Sequence, residues 1–349
     1  MKLGRTVVFI LLFAVVVAVY LYQVRLNKQI LTIIPDEVNR TVAISKNDPI
    51  DRVELLDHVQ KTKISLREKN GIWALEEPVH YPAESQIAEG FLIAARMASR
   101  RPRLRAEKEW DEYGLANPEL EVRFGLPQKR VVTLLIGAQA PVEKAVFAKW
   151  KEERGFFLLP VEMKAMFRQS VYGLREKRLF RAPPDAVRKI YVEMGEHSYQ
   201  WKKDGPPDKQ GGGQWYWLEP VGKIGQKVPA GAMNRVLQGL LSLHVREFQD
   251  NNKKSKAELG FFMIHDRIWV ETDDGKKEAF YFGNEVPEEN SYYGFLEGED
   301  VVFFVDRAKV LEFFDLLKNI NADDGSLKRD EKGQLQITKD LSSKPIAPS

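Results

Sequence analysis

The chain has 349 residues, 30% charged and 44% hydrophobic, a composition that excludes wholesale disorder and is long enough for about two ordinary domains. A formal net charge of +3 gives no global excess that would call for a nucleic acid or another polyanion as partner. With no cysteine, disulfides, thiol nucleophiles and thiolate-held zinc or iron–sulfur centres are excluded.

The first predicted element is a transmembrane helix. Between Thr6 and Tyr22 there is no charge, glycine or proline, and the run reaches 19 residues at Val24. At about 1.5 Å per residue such a helix nearly spans a hydrocarbon core of about 30 Å. Tyr20 and Tyr22 suit an interfacial aromatic belt, and Lys2, Arg5, Arg25 and Lys28 flank the run. A cleaved signal peptide would end at small residues, whereas this run ends in Tyr-Leu-Tyr, so residues 1–28 read as an uncleaved signal anchor. The short amino-terminal tail before a large remainder places residues 25–349 on the extracytoplasmic side of the inner membrane.

Beyond the anchor the sequence repeats itself. Trp73, Glu77 and Pro78 superpose on Trp215, Glu219 and Pro220 at an offset of 142. The offset then becomes 146, carrying Glu112 and Gly114 onto Glu258 and Gly260, and Ile136, Gly137 and Pro141 onto Phe282, Gly283 and Pro287. Each copy opens with short extended segments (53–56 and 64–66; 187–192 and 199–202) and the tryptophan strand. A helix follows, begun by Pro82 in the first copy and Pro229 in the second, since proline suits a first helical turn. Its apolar face is Ile87, Phe91, Ala94, Ala95 and Ala98 in one copy and Met233, Leu237, Leu240, Leu241 and His244 in the other. Strand pairs 120–124 with 131–136 and 267–271 with 278–282 come next, the second turned by Asp273-Asp-Gly275. Two further strands precede a closing helix, capped in the second copy by Asp306, with Val310, Phe313, Phe314 and Leu317 inward.

Consecutive strands that outnumber helices predict an α+β fold, two tandem antiparallel-sheet-plus-helices modules at 45–180 and 183–320 behind the anchor. Residues 205–213 form a flexible insert, and residues 321–349 turn polar and read as a disordered tail.

The succession W-x-L-x-x-P, apolar helix, E-Y-G-L-x-x-P (112–118), I-G-x-x-x-P (136–141) and L-R-E-K-R-L-F (174–180) resembles the bacterial domain of unknown function 4340 family over most of residues 45–320. The second copy matches more loosely, with Leu259-Gly-Phe261 in place of Tyr-Gly-Leu. Such domains also occur in an accessory subunit of gliding-motility ABC transporters. The resemblance therefore implies a non-enzymatic extracytoplasmic accessory or scaffold, with the inner membrane and a membrane protein such as an ABC permease as partners. It carries no catalytic, cofactor-binding or metal-ligating residues.

The residues themselves show little chemistry. His58, His80, His197, His244 and His265 lack metal-ligand spacing, and no nucleophile elbow, phosphate loop or dinucleotide fingerprint occurs. Glu77 and Glu219 could form a carboxylate pair only if the two copies brought them together; pairing of each with a nearby cation is the simpler expectation. Arg96, Arg100, Arg101, Arg103, Arg105 and Lys108 form the densest basic cluster, suited outside the inner membrane to anionic headgroups or a partner protein rather than to nucleic acid, or to a solvated helix end. Within Trp215-Tyr-Trp217, Trp217 is the candidate for a partner- or sugar-facing side chain. The expected contact residues are thus Arg100, Arg101, Arg103, Arg105 and Trp217, and an envelope polysaccharide- or lipid-binding module or an unrecognised hydrolase are the competing readings.

Overall fold

The computed structural model describes residues 17–18, 43–141, 144–205, 213–261, 266–322, 327–329 and 335–337. The expected anchor lies outside the described residues except for Val17 and Ala18, which are helical. Among the described residues no helix is long and apolar enough to cross a membrane. Residues 205–213 and the polar tail likewise lie mostly outside them; within the tail, Leu327–Arg329 pairs with Leu335–Ile337.

The chain divides into two compact units, residues 1–176 and 177–349, each built on one antiparallel sheet with a few helices. In the first unit β1 (Arg52–Asp57), β2 (Thr62–Lys69), β3 (Ile72–Glu77) and the short β4 (Tyr81–Pro82) form a meander. Helix α1 (Ser85–Ser99) intervenes, and β5 (Leu120–Gly125), β6 (Val131–Gln139), β7 (Ala145–Trp150) and β8 (Phe157–Pro160) follow. Strand β5 returns beside β1, giving the order β4-β3-β2-β1-β5-β6-β7-β8. Helices α2 (Val161–Phe167) and α3 (Val171–Leu174) close the unit.

The second unit has a similar plan that differs at the sheet edges. Strands β9 (Val187–Met194), β10 (His197–Asp204) and β11 (Gln214–Glu219) precede α4 (Ala230–Ser242) and β12 (Val245–Phe248). Then come β13 (Arg267–Thr272), β14 (Lys277–Val286), β15 (Ser291–Leu296), β16 (Val302–Asp306) and α5 (Arg307–Ala322). The order is β11-β10-β9-β13-β14-β15-β16-β12. Strand β12 pairs with β16 as Leu104 pairs with Phe156 in the first unit. Pairing slips between Ile136 and Gln139 in one sheet and between Phe282 and Glu285 in the other, positions 146 apart. The peptides before Pro78 and Pro220 are both cis.

Alternation along the strands decides what each face does. In β1 and β13 every second side chain is buried, so one face of each sheet packs on helices. Val53, Leu55, Leu66, Val122 and Phe124 meet Phe91, Ala94, Ala95 and Ala98 of α1 in the first core. Small residues at 94, 95 and 98 bring the helix backbone close to the sheet, while Phe91 stacks on Phe167 of α2 at 5.7 Å. In the second core Ile190, Val192, Ile268 and Val270 meet Val236 and Leu240 of α4 and Val310, Phe313 and Leu317 of α5. Asp306 Oδ1 accepts the Lys309 amide at 3.1 Å, the expected cap.

Three local expectations are corrected. Pro82 does not open α1: Tyr81 and Pro82 pair with Leu75 and Ala74, and the Ala83 amide donates to Trp73 O, so the chain stays extended up to Glu84. Pro229 is the N-cap of α4 rather than its first helical residue. His244 is not on an apolar helix face: α4 stops at Ser242, Leu243 turns inward, and His244 is exposed with Nδ1 2.9 Å from Ser242 O.

Helix α2 is tied to the sheet by charge. Lys164 Nζ meets Glu119 at 2.8 Å, and Arg168 bridges Asp57 at 2.7 Å and Glu119 at 3.2 Å. Burial pushes the Glu119 carboxyl upward, but the hydrogen bonds and charges of Lys164 and Arg168 outweigh it and hold it below its ordinary 4.5. A depressed folded value means that its stabilisation is present above pH 4.5 and disappears as the pH falls through the lower folded value. Because the pair is partly solvent-screened, Glu119→Gln should cost about 1 kcal/mol at neutral pH. Urea midpoints of wild type and variant, taken from pH 7 downward, should converge in acid; a gap that persists undiminished contradicts the assignment.

Candidate functional site

The basic cluster after α1 does not act as one patch. Arg103 is only 6% exposed. Its guanidinium pairs with Glu153 through Nε and, at 3.0 Å, through Nη2, lies 4.8 Å from the Phe157 ring centroid, and donates to the carbonyls of Ala98, Ser99 and Arg101. The carbonyls of Ala98 and Ser99 end α1, so Arg103 satisfies groups that a helix C-terminus leaves open. The expectation that Arg103 contacts a partner is corrected: the chain turns back at Leu104 to pair with Phe156, and this turn draws the arginine inward. Arg100 and Arg105 remain exposed and Arg101 half-buried. Arg100 continues a solvent-facing stripe of α1 formed by Gln86, Glu89, Ile93 and Met97.

Trp217 is also corrected, being buried at 4% exposure with its ring 5.1 Å from that of Trp201. It occupies the place that Leu75, fully buried, holds in the first unit, and Trp73 and Trp215 are core residues as well. Glu77 pairs with Lys63 at 2.6 Å and Glu219 accepts from Ser198 Oγ, so each has a local partner within its own unit. No group of three or more metal-ligating side chains occurs among the described residues.

The motif residues explain a second layer. The segment after α1 folds over the face of the first sheet opposite the helices, where Leu104, Tyr113 and Leu115 pack on Phe147 and Phe156. Tyr113 lies 5.0 Å from Phe147 and 4.7 Å from Phe156, ring centre to ring centre. Gly114, at φ +65°, makes the turn, and Gly137 on β6 lets it come close: a Cβ there would sit 2.4 Å from Tyr113 O. In the second unit Leu259 and Phe261 pack on Phe295 and Val302, with Gly260 at φ +89° and a Gly283 Cβ position 2.3 Å from Leu259 O.

This layer covers only part of the outer face, and the open part differs between units. Outward positions of β1 and β5 carry Glu54 and Arg123, ion-paired at 3.6 Å. The matching positions of β9 and β13 carry Tyr191 and Trp269, with stacked rings 5.4 Å apart, flanked by Arg267 over Tyr191 and Lys277 over Trp269. In the first unit the open part is a cleft of about 640 Å³ whose lining includes Arg52, Arg67, Arg123, Lys129, Arg130 and Lys151. Sequence reading passed over these cations because they are scattered across 100 positions, on β1, β2, β5, the β5–β6 turn and the residues after β7. The one available signal was their place between core residues: Arg52 precedes Val53, Arg67 follows Leu66, and Arg123 separates Val122 from Phe124.

No curated protein and no solved structure matches the chain. A family model described as "Domain of unknown function (DUF4340)" matches residues 73–261, from the tryptophan strand β3 of the first unit to the Leu259–Phe261 turn of the second. That match covers more than half of the 349 residues, and the chain belongs to the DUF4340 family.

Proposed function

We propose that this chain is a membrane-anchored, non-enzymatic accessory or scaffold protein on the extracytoplasmic side of the inner membrane, made of two copies of one module and serving another membrane protein such as an ABC permease. The observation that carries the reading is the outward stripe of α1. Ile93 is 56% and Met97 52% exposed at i and i+4, on the helix face turned away from the core, and Arg100 extends the stripe. Exposed apolar side chains followed by an arginine suit a protein contact, where methionine and arginine are enriched. The apolar run 6–24 supports the anchor, and the shared strand order and slip positions support the duplication.

A photoactivatable crosslinker at Met97, in the full chain in its native membranes, should capture one stoichiometric membrane protein. The same group at Gln238, exposed on α4, should capture none. Adducts to lipid alone would favour the envelope lipid-binding reading, for which Arg100, Arg101 and Arg105 remain available. Equal capture from both positions, or none, would reject the scaffold surface.

A further inference from the structure

We propose that the outer-face cleft of the first unit binds a phosphorylated ligand. This goes beyond the partner contact on α1 and needs neither the anchor nor the partner. Its volume of about 640 Å³ lies within the range of about 300–1,000 Å³ usual for small-ligand sites.

The charges are unbalanced. Six cationic side chains line the cleft against two carboxylates, Asp51 and Glu54. Glu54 is already engaged by Arg123, which Glu121 also holds at 2.8 Å, and Arg67 pairs with Glu76 at 3.5 Å on the neighbouring strand. Arg130 donates to Ala43 O at 2.8 Å. Arg52, Lys129 and Lys151 have no carboxylate partner among the described residues. Cations gathered in a concavity over a packed sheet repel one another through a medium less polarisable than water, and an anion seated among them relieves that repulsion. Two kinds of donor are offered, planar guanidinium forks and compact ammonium groups, and phosphate oxygens accept from both.

The module's fold does not by itself produce this site. The wall of the cleft is the β5–β6 turn, where Gln128 and Lys129 both hold left-handed backbone (φ 60° and 61°) and the Leu126 amide donates to Arg130 O at 2.8 Å. Two consecutive non-glycine residues in that region are strained, and they persist only where the surroundings fix them. The corresponding turn in the second unit is Asp273-Asp274-Gly275, with left-handed backbone only at the glycine. There two acids stand where the first unit has Gln128 and Pro127, and Lys129 has glycine opposite it. Arg123 likewise corresponds to Trp269 in the second unit, where Tyr191 takes the place of its partner Glu54. The second unit keeps cations at the places of Arg52, Arg67 and Arg130, namely Lys189, Lys202 and Lys276, but there each is ion-paired, to Glu271, Asp204 and Glu278.

The absence of native cysteine allows a direct test. Val131 lines the cleft and is 53% exposed, so Val131→Cys carrying an environment-sensitive fluorophore reports occupancy in the full chain in nonionic detergent. Titration with inorganic tripolyphosphate at low ionic strength should give a saturable response at one site per chain that weakens as salt is added. Adding Lys129→Glu and Lys151→Glu, both exposed positions, should weaken it by about tenfold or more. Arg100→Glu with Arg105→Glu should leave it unchanged. Circular dichroism checks that each variant is folded, and Lys129→Gln with Lys151→Gln, giving a smaller loss, serves if the reversals are not. A short-chain phosphatidylglycerol below its micelle concentration, tested in parallel, assigns the source: a stronger response than to tripolyphosphate identifies a lipid headgroup, a weaker one a soluble phosphate. No response to either, a response untouched by the reversals, or equal affinity for citrate overturns the proposal.

Discussion

Arg103→Ala should destabilise the first unit by about 3 kcal/mol, whereas Arg100→Ala and Arg105→Ala, a few residues away, should each change stability by less than about 0.5 kcal/mol. The difference follows from position. Removing Arg103 leaves Glu153, with its side chain 17% exposed, without its cation, and strips a donor from the carbonyls of Ala98, Ser99 and Arg101 at the end of α1. A buried ion pair broken on one side costs far more than the pair contributes as a whole, because the remaining charge stays desolvated. Arg100 and Arg105 stand in water and leave nothing buried behind. Urea unfolding of the full chain, followed by tryptophan fluorescence, measures all three. A lowered midpoint of the first unit's transition in Arg103→Ala alone is the expected outcome, and equal midpoints for the three variants would contradict it. Lysine at 103 should recover only part of the loss, since it cannot present a fork to Glu153 while reaching the carbonyls.

Gly137→Ala and Gly283→Ala should each cost about 3 kcal/mol or more, the first in one unit and the second in the other. In both cases the new methyl carbon would meet a backbone oxygen, Tyr113 O at 2.4 Å or Leu259 O at 2.3 Å, rather than the movable end of a side chain. Neither turn can yield cheaply. Gly114 N is held by Asp111 O at 2.9 Å and Leu115 N by Trp110 O at 2.8 Å, while Leu259 O accepts from Asn284 N at 2.8 Å. Gly222 supplies the control, with open space where its Cβ would be, and alanine there should stay within about 0.5 kcal/mol of wild type. Midpoint shifts confined to the unit carrying each change support the account. A Gly137→Ala variant as stable as wild type would mean that the turn is free to move off the strand.

These glycines show how much of the fold was legible in the sequence. The offset of 146 residues carries Gly114 onto Gly260 and Gly137 onto Gly283, and both pairs sit at the same turn-on-strand contact. A glycine needed for left-handed backbone or for close approach is recorded at its own position, so the sequence displays it. Burial of Trp217 was legible on the same basis, since the register places it on Leu75, a core residue in any strand that alternates. Reading Trp217 as a contact residue gave too much weight to the side chain's chemistry and too little to its place in the alternation.

Arg103 was not legible. Six basic residues within thirteen positions look alike in sequence, and only the return of the chain at Leu104 onto Phe156 separates the buried one from the exposed ones. The helix starts failed for a related reason: Pro82 has the right chemistry for a first turn, but pairing with Ala74 keeps it in a strand.

The sequence by itself determined the apolar run 6–24, the two-fold register and the antiparallel, hairpin-rich character of each unit, because periodicity, turn residues and glycine requirements act over a few neighbouring positions. Tertiary structure alone decided which arginine is buried and which cations share a cleft. Those outcomes depend on strand order and pairing register, which bring Arg52 beside Arg67 on one side and Gly125 on the other, across 15 and 73 positions of chain. Charge gathered over such separations leaves no local trace, and so the cleft appears only once β1 is placed between β2 and β5.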